Sequence, residues 1–130
     1  MSLTQIKETC LYVSDLARTR RFYHEKLELP VISFVEERHV FFRVGTSVLL
    51  CFLPEVTRHE KTLPPHYAHG KQHIAFSAPP EQYADWKRKL AAANIPITHE
   101  TDWGRGYFSC YFDDPDGHVL EIVPDGLWQP

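Results

Sequence analysis

The chain is short of the features that would place it outside the ordinary globular classes. Its three cysteines, Cys10, Cys51 and Cys110, are scattered and form no CxxC pair. An odd, dispersed set excludes a disulfide framework and a zinc knuckle. Each falls in an apolar, strand-like run, where Cys behaves as a small hydrophobe. Long hydrophobic runs are missing as well. Stretches such as Ser47–Leu53 are far too short to span a bilayer. Met1-Ser2-Leu3-Thr4 lacks the charged-then-apolar pattern of a signal peptide. Positive charge is not in excess: 14 Lys and Arg stand against 17 Asp and Glu, a net −3 with His neutral. That balance excludes the basic footprint of a nucleic-acid binder and the polybasic face of a membrane-surface protein. The expectation is a cytoplasmic protein whose partner is a small molecule. Lys87-Arg88-Lys89 reads as a solvated helix face.

What is present supports a packed core. The 130 residues are 43% hydrophobic and 24% charged, ordinary values for one domain. Ile6–Val13 alternates as a strand. Ser14-Asp15 is a helix N-cap pair, and Leu16–Lys26 follows as a helix with Phe22, Tyr23 and Leu27 inward. Pro30 stops it. Three strands are expected at Val31–Val35, His39–Val44 and Val48–Leu53, separated by polar turns. Residues Pro54–Lys71 form a linker with three prolines and three histidines (His59, His66, His69), long enough to be functional or mobile. The second half repeats the order: strand Gln72–Ala78, helix Glu81–Ala93 capped by Asn94, then strands Ile97–Glu100, Tyr107–Phe112 and Val119–Val123. Asp113-Asp114-Pro115-Asp116-Gly117 makes the last turn, His118 beyond it is expected to face solvent, and Trp128 in the tail is expected to cover an edge or a partner subunit.

The two halves align. Glu8 and His73 hold the same place in the first strand of each, and Leu50 and Glu121 roughly the same place in the last. Such a repeat implies two equivalent sheets that curl together with a cleft between them. The fold class is therefore α+β: two βαβββ modules forming a curved eight-stranded mixed sheet assembly around a cleft. The boundaries are module 1 at about 3–53, linker 54–71, module 2 at about 72–123 and tail 124–130, within one domain of 1–130.

Two phrases make this pattern specific. Glu8-Thr9-Cys10-Leu11-Tyr12-Val13-Ser14-Asp15-Leu16, followed by Arg21-Phe22-Tyr23, resembles the opening strand and helix of the glyoxalase / bleomycin-resistance / extradiol-dioxygenase superfamily, the vicinal oxygen chelate fold. Tyr111-Phe112-Asp113-Asp114-Pro115-Asp116-Gly117-His118-Val119-Leu120-Glu121-Ile122 resembles its closing hairpin. The resemblance implies a divalent metal held from the first and last strands of the modules, which here means Glu8, His73 and Glu121. The ligand expected from the last strand of the first module falls near Leu50 and is absent, and position 8, commonly His in the family, is Glu. One imidazole and two carboxylates suit Mn, Fe, Ni, Zn or Mg without choosing among them. Such an ion would act as a Lewis acid on two adjacent substrate oxygens, polarising a carbonyl or stabilising an enolate.

The function expected is thus that of a glyoxalase-like, metal-dependent lyase or isomerase on a small oxygenated substrate, assembled as a homodimer. His66 and His69 are candidates for acid–base catalysis, or else surface histidines. Trp103, Arg105 and Tyr107 are candidates for substrate binding, or else a glycine-rich loop entering a strand. Phe41, Phe42, Phe52 and Phe108 are read as core. The alternatives are a metal-free binding protein of the bleomycin-resistance type, a ring-cleaving dioxygenase, and a thiol-transfer resistance enzyme. The last two usually carry two His and one carboxylate.

Overall fold

A computed structural model of the chain describes residues 1–129. They divide into two compact units, Met1–Gly70 and Lys71 onward, each built on a four-stranded mixed sheet. Among the described residues no helix is long and apolar enough to cross a membrane.

In the first unit the strands are β1 (Glu8–Tyr12), β2 (Val31–Val35), β3 (His39–Val44) and β4 (Ser47–Phe52), in the order β1-β4-β3-β2. β1 and β4 are parallel and the other pairs antiparallel. The helix α1 (Leu16–Arg20) starts at Asp15, whose carboxylate accepts the Arg18 N–H at 2.9 Å and so satisfies one of the open donors of the first turn. The expected single helix over Leu16–Lys26 is instead α1 running into a π-helical turn, Arg21–Lys26. The wider turn lets two adjacent aromatics, Phe22 and Tyr23, both reach the core, with Leu27 N–H bonding back to the Phe22 carbonyl. Under them strand alternation turns Val40 and Phe42, Leu49 and Cys51, and Leu11 inward, all 0–1% exposed. Pro54–Thr57, expected as linker, forms a short helix, α2.

The second unit has β5 (His73–Ala78), β6 (His99–Gly104), β7 (Tyr107–Asp113) and β8 (Val119–Pro124) in the order β5-β8-β7-β6. A 3₁₀ turn, Pro80–Gln82, leads into α3 (Tyr83–Ala92), which packs on β7. Asn94 follows with φ of 60°, the left-handed geometry of a helix stop. Leu90, Ile95, Cys110, Phe112, Leu120 and Ile122 form the core. Phe108, expected there, is 42% exposed and lies instead against the Tyr83 ring at 5.9 Å, because it sits near the outer end of β7 beside the edge strand.

His118 corrects a second expectation. It is 2% exposed, and its Nδ1 accepts the Gln72 N–H at 3.0 Å, so it is a buried anchor between the entries to β5 and β8. Gly117 precedes it at φ of 82°. A Cβ there would meet only the flexible end of Lys71, at 3.0 Å, so backbone strain dominates. Gly117→Ala is expected to cost about 1–2 kcal/mol in urea unfolding.

The repeat is exact in register. Cys10 pairs with Leu50 across β1 and β4, and Ala75 pairs with Glu121 across β5 and β8. Glu8 and His73 each lie two residues before those paired positions. Leu50 is therefore the positional counterpart of Glu121.

Candidate functional site

The second sheet brings two of the three expected ligands together. His73 opens β5 and faces the β8 backbone, where its Nδ1 lies 2.8 Å from the Val119 carbonyl. A carbonyl only accepts, so Nδ1 donates and Nε2 is the nitrogen left to bind. That Nε2 stands 3.4 Å from Glu121 Oε1. A bare nitrogen lone pair and a carboxylate oxygen repel unless a cation, proton or metal ion, lies between them. The spacing matches two ligand atoms on one tetrahedral ion with bonds of about 2.1 Å. Glu121 is 5% exposed and its Oε2, fully enclosed, has no hydrogen-bond partner. A buried carboxylate oxygen left unpaired is costly, and a cation relieves that cost. The donor set, the oriented imidazole and the orphaned oxygen fit a divalent metal.

Register shows what else shares this face. Tyr111 lies opposite Glu121, His99 opposite Tyr111, and Thr101 opposite Ser109. Burial first, and then the Glu121 carboxylate beside it, push the Tyr111 phenol above its usual value. The Tyr111 ring lies between those of His73 and His99, with centroids 6.1 and 5.6 Å away. Sequence reading missed Tyr111 and His99 as site residues. The signal was strand alternation: positions 107, 109 and 111 share the face that carries Glu121.

The other candidates are placed as follows. Glu8 is the exposed first residue of β1, in the first unit. Among the described residues, no three or more His, Cys, Asp or Glu gather into a group that could hold a metal, so His73 and Glu121 are a pair and not a complete centre. His66 and His69 lie in the first unit. His66 rests on Phe52, ring centroids 5.2 Å apart, with Nδ1 2.7 Å from the Pro64 carbonyl, and His69 is exposed. Trp103 donates from Nε1 to Ser109 Oγ at 3.0 Å and meets Trp128 edge-on, so Trp128 does lie against the edge strand β6. Arg105 occupies the β6–β7 turn at φ of 58°, its guanidinium 5.0 Å from the centre of the Tyr107 ring and its Nη2 3.5 Å from the Leu127 carbonyl. Arg105 and Tyr107 thus pack against the C-terminal turn. On the opposite, helix-covered face, burial and then the Glu100 charge push the Cys110 thiol up to about 11, so it is held protonated.

Residues 5–122 match the family described as Glyoxalase/Bleomycin resistance protein/Dioxygenase superfamily. The chain is 28% identical to metallothiol transferase FosB of Staphylococcus epidermidis over 125 residues, covering 94% of this chain and 82% of that protein. It is 27% identical over 125 residues to glutathione transferase FosA of Serratia marcescens, covering 92% of this chain and 80% of the other. The solved structure of lactoylglutathione lyase from Agrobacterium tumefaciens superimposes with a TM-score of 0.93 at 30% identity, covering 100% of both chains.

Proposed function

The chain belongs to the Glyoxalase/Bleomycin resistance protein/Dioxygenase superfamily, and on that footing we propose that it is a divalent-metal-dependent enzyme acting on a small oxygenated molecule. The observation that carries this reading is the His73–Glu121 pair, with an oriented imidazole, a facing carboxylate and an orphaned buried oxygen. His73 through Nε2 and Glu121 through its carboxylate would hold the ion, and Glu8 is the third ligand of this proposal. The ion would supply Lewis-acid polarisation of two neighbouring substrate oxygens.

The chain's own groups prepare the site. The Val119 carbonyl fixes the tautomer and plane of His73, and Tyr111 stands opposite Glu121 on the neighbouring strand, the usual division between ligands and the groups that orient them. His69, with an exposed imidazole, and His66 are assigned to proton transfer. Trp103, Arg105 and Tyr107 are assigned to the substrate. A homodimer in the cytoplasm completes the proposal.

A lyase or isomerase reaction is the first reading. The relatives' names favour a second: metallothiol transferase, glutathione transferase and lactoylglutathione lyase each name a thiol compound. On that reading a thiol is the co-substrate. Both reactions consume free thiol, so the product decides: a thioether, stable to hydroxylamine, selects transfer to an electrophile, whereas a thioester formed from an added 2-oxoaldehyde, and cleaved by hydroxylamine, selects the lyase.

The metal reading is tested by calorimetry on metal-stripped protein with Mn²⁺, Zn²⁺, Ni²⁺ and anaerobic Fe²⁺. Stoichiometric binding is expected. His73→Ala is expected to weaken it by about a hundredfold or more, at or beyond the upper end of what outer-shell changes cause, and Glu8→Ala to weaken it as well. No binding of any ion, or binding that His73→Ala leaves unchanged, overturns the proposal.

A further inference from the structure

The densest polar network away from the metal pair lies in the first unit, on His39. This residue opens β3 and is 7% exposed, yet both its ring nitrogens are engaged. Nε2 lies 2.9 Å from Ser33 Oγ on β2, and Nδ1 lies 2.6 Å from Arg38 Nη1. A guanidinium has donors and no acceptor. Nδ1 therefore presents its lone pair to Arg38, and the ring proton sits on Nε2 and is donated to Ser33. The imidazole is neutral and its tautomer is fixed. Its ring stacks on Phe41 at 3.9 Å and meets Phe52 edge-on at 6.2 Å.

Arg38 carries the connection outward. Its Nε donates to Glu60 Oε1 at 2.6 Å, and its guanidinium lies 5.2 Å from the centre of the Phe52 ring. Glu60 belongs to the segment 54–66, which leaves the sheet after β4 and closes on itself. There the Thr57 hydroxyl donates to the Leu53 carbonyl at 3.2 Å and to the His66 carbonyl, and the His66 N–H returns to the Thr57 carbonyl at 3.2 Å. The His66 ring then rests on Phe52. One neutral imidazole thus ends a chain, His39–Arg38–Glu60, that ties this segment to the sheet.

We propose that this chain is a proton-operated latch, in which protonation of His39 releases the segment 54–66 from the first sheet. A second ring proton would sit on Nδ1, turning an acceptor into a donor and setting two cations in hydrogen-bonding contact. Arg38 must then withdraw, and its bond to Glu60 is broken or remade elsewhere. The surroundings offer little compensation. β2 presents the uncharged Ser33 and β4 presents Phe52. The segment presents Glu60, whose charge partly offsets the added proton, and, across Phe52, the ring of His66.

Burial first, and then the Arg38 charge, hold His39 below its ordinary value, against the opposing pull of Glu60. The released state, with an ordinary imidazole, therefore binds the proton more tightly than the latched state. Latching is at full strength above the ordinary His value of about 6.5 and is lost as the pH falls through it towards the lower value of the latched ring. The inference does not depend on the metal or the reaction. Its consequence for the proposed reaction is that His66, and the chain leading to His69, would be held at neutral pH and freed in acid.

The test is amide hydrogen exchange on the full chain, with rates divided by the intrinsic rate at each pH. Protection at Thr57, Arg58 and His66 is expected to fall by up to about tenfold per pH unit between about pH 6.5 and the latched value, the limit for one proton. The β3–β4 amides should keep theirs. In His39→Gln the amide oxygen can accept from Arg38 and the amide nitrogen can donate to Ser33, with nothing to titrate at position 39, so the fall in protection of the segment should be lost or much reduced. Unvarying protection in the native chain, or the same fall in His39→Gln, overturns the latch. Should the variant fail to fold, ¹⁵N shifts of the native His39 ring decide. The Nε2–H tautomer, titrating together with the segment's amides, supports the proposal; the other tautomer, or titration without an amide response, overturns it.

Discussion

Glu121→Leu is expected to raise the thermal stability of the metal-free protein while removing its metal binding. The carboxylate is almost fully enclosed, one oxygen lacks any hydrogen-bond partner, and the other faces a histidine nitrogen. A buried polar group left unsatisfied costs about 1–3 kcal/mol, and a well-packed apolar side chain removes that cost. Against this stands the Tyr111 phenol, which loses the carboxylate beside it at a cost of about 1 kcal/mol. The fold already accommodates leucine at this position of the repeat: Leu50 occupies it in the first unit and is 7% exposed. A net gain of about 0–2 kcal/mol is expected by scanning calorimetry in chelator, with no binding of Mn²⁺ or Zn²⁺. A variant that unfolds earlier than the native chain in chelator would mean that the carboxylate is already compensated, and the case for a waiting cation site would fail.

Asp114→Ala is expected to cost about 2–4 kcal/mol in urea unfolding, with the slope unchanged. Asp114 is 5% exposed, and its Oδ1 accepts the N–H groups of Asp116 and His118, both at 2.9 Å. Alanine would leave both donors without that acceptor inside a turn that also seats the buried His118. Asn keeps an oxygen in place and should recover more than half of the loss. The turn sets the start of β8, so metal affinity should fall in the alanine variant and return in the asparagine one. A loss under about 1 kcal/mol would show that solvent replaces the carboxylate there.

The strands were legible where apolar and polar residues alternate between polar turns. β2 and β3 fall at the expected Val31–Val35 and His39–Val44, and β4 is displaced by one residue at each end. β6 was not legible. Ile97–Glu100 was expected, whereas the strand is His99–Gly104, a polar edge strand whose pairing comes from the β6–β7 turn and not from burial. That turn runs through Gly104, Arg105 and Gly106, all with positive φ, a combination that looks like open loop in sequence. His118 misled for a related reason: a histidine after a DPDG turn looks solvated, and only the close approach of Gln72 makes it an internal acceptor. Of the site, the family phrases marked Glu121 and His73, whereas Tyr111 needed the register between β7 and β8. The His39 network was not legible, because Arg38 reads as part of a polar turn and Glu60 lies 22 residues further on.

The strand order also constrains how the chain can be synthesised and cut. In each sheet the strand that emerges last from the ribosome is inserted between earlier ones: β4 between β1 and β3, and β8 between β5 and β7. β1 and β5 therefore wait unpaired until the end of their own half has been made, and these long-range closures are the slow, exposed stage of assembly. The first sheet can close once Phe52 has emerged, without waiting for any strand of the second. A stop placed before Val119 would remove a central strand, leave β5 with no neighbour in its sheet, and delete Glu121 together with the carbonyl that orients His73. Truncation from the C-terminus thus disables fold and chemistry in one step.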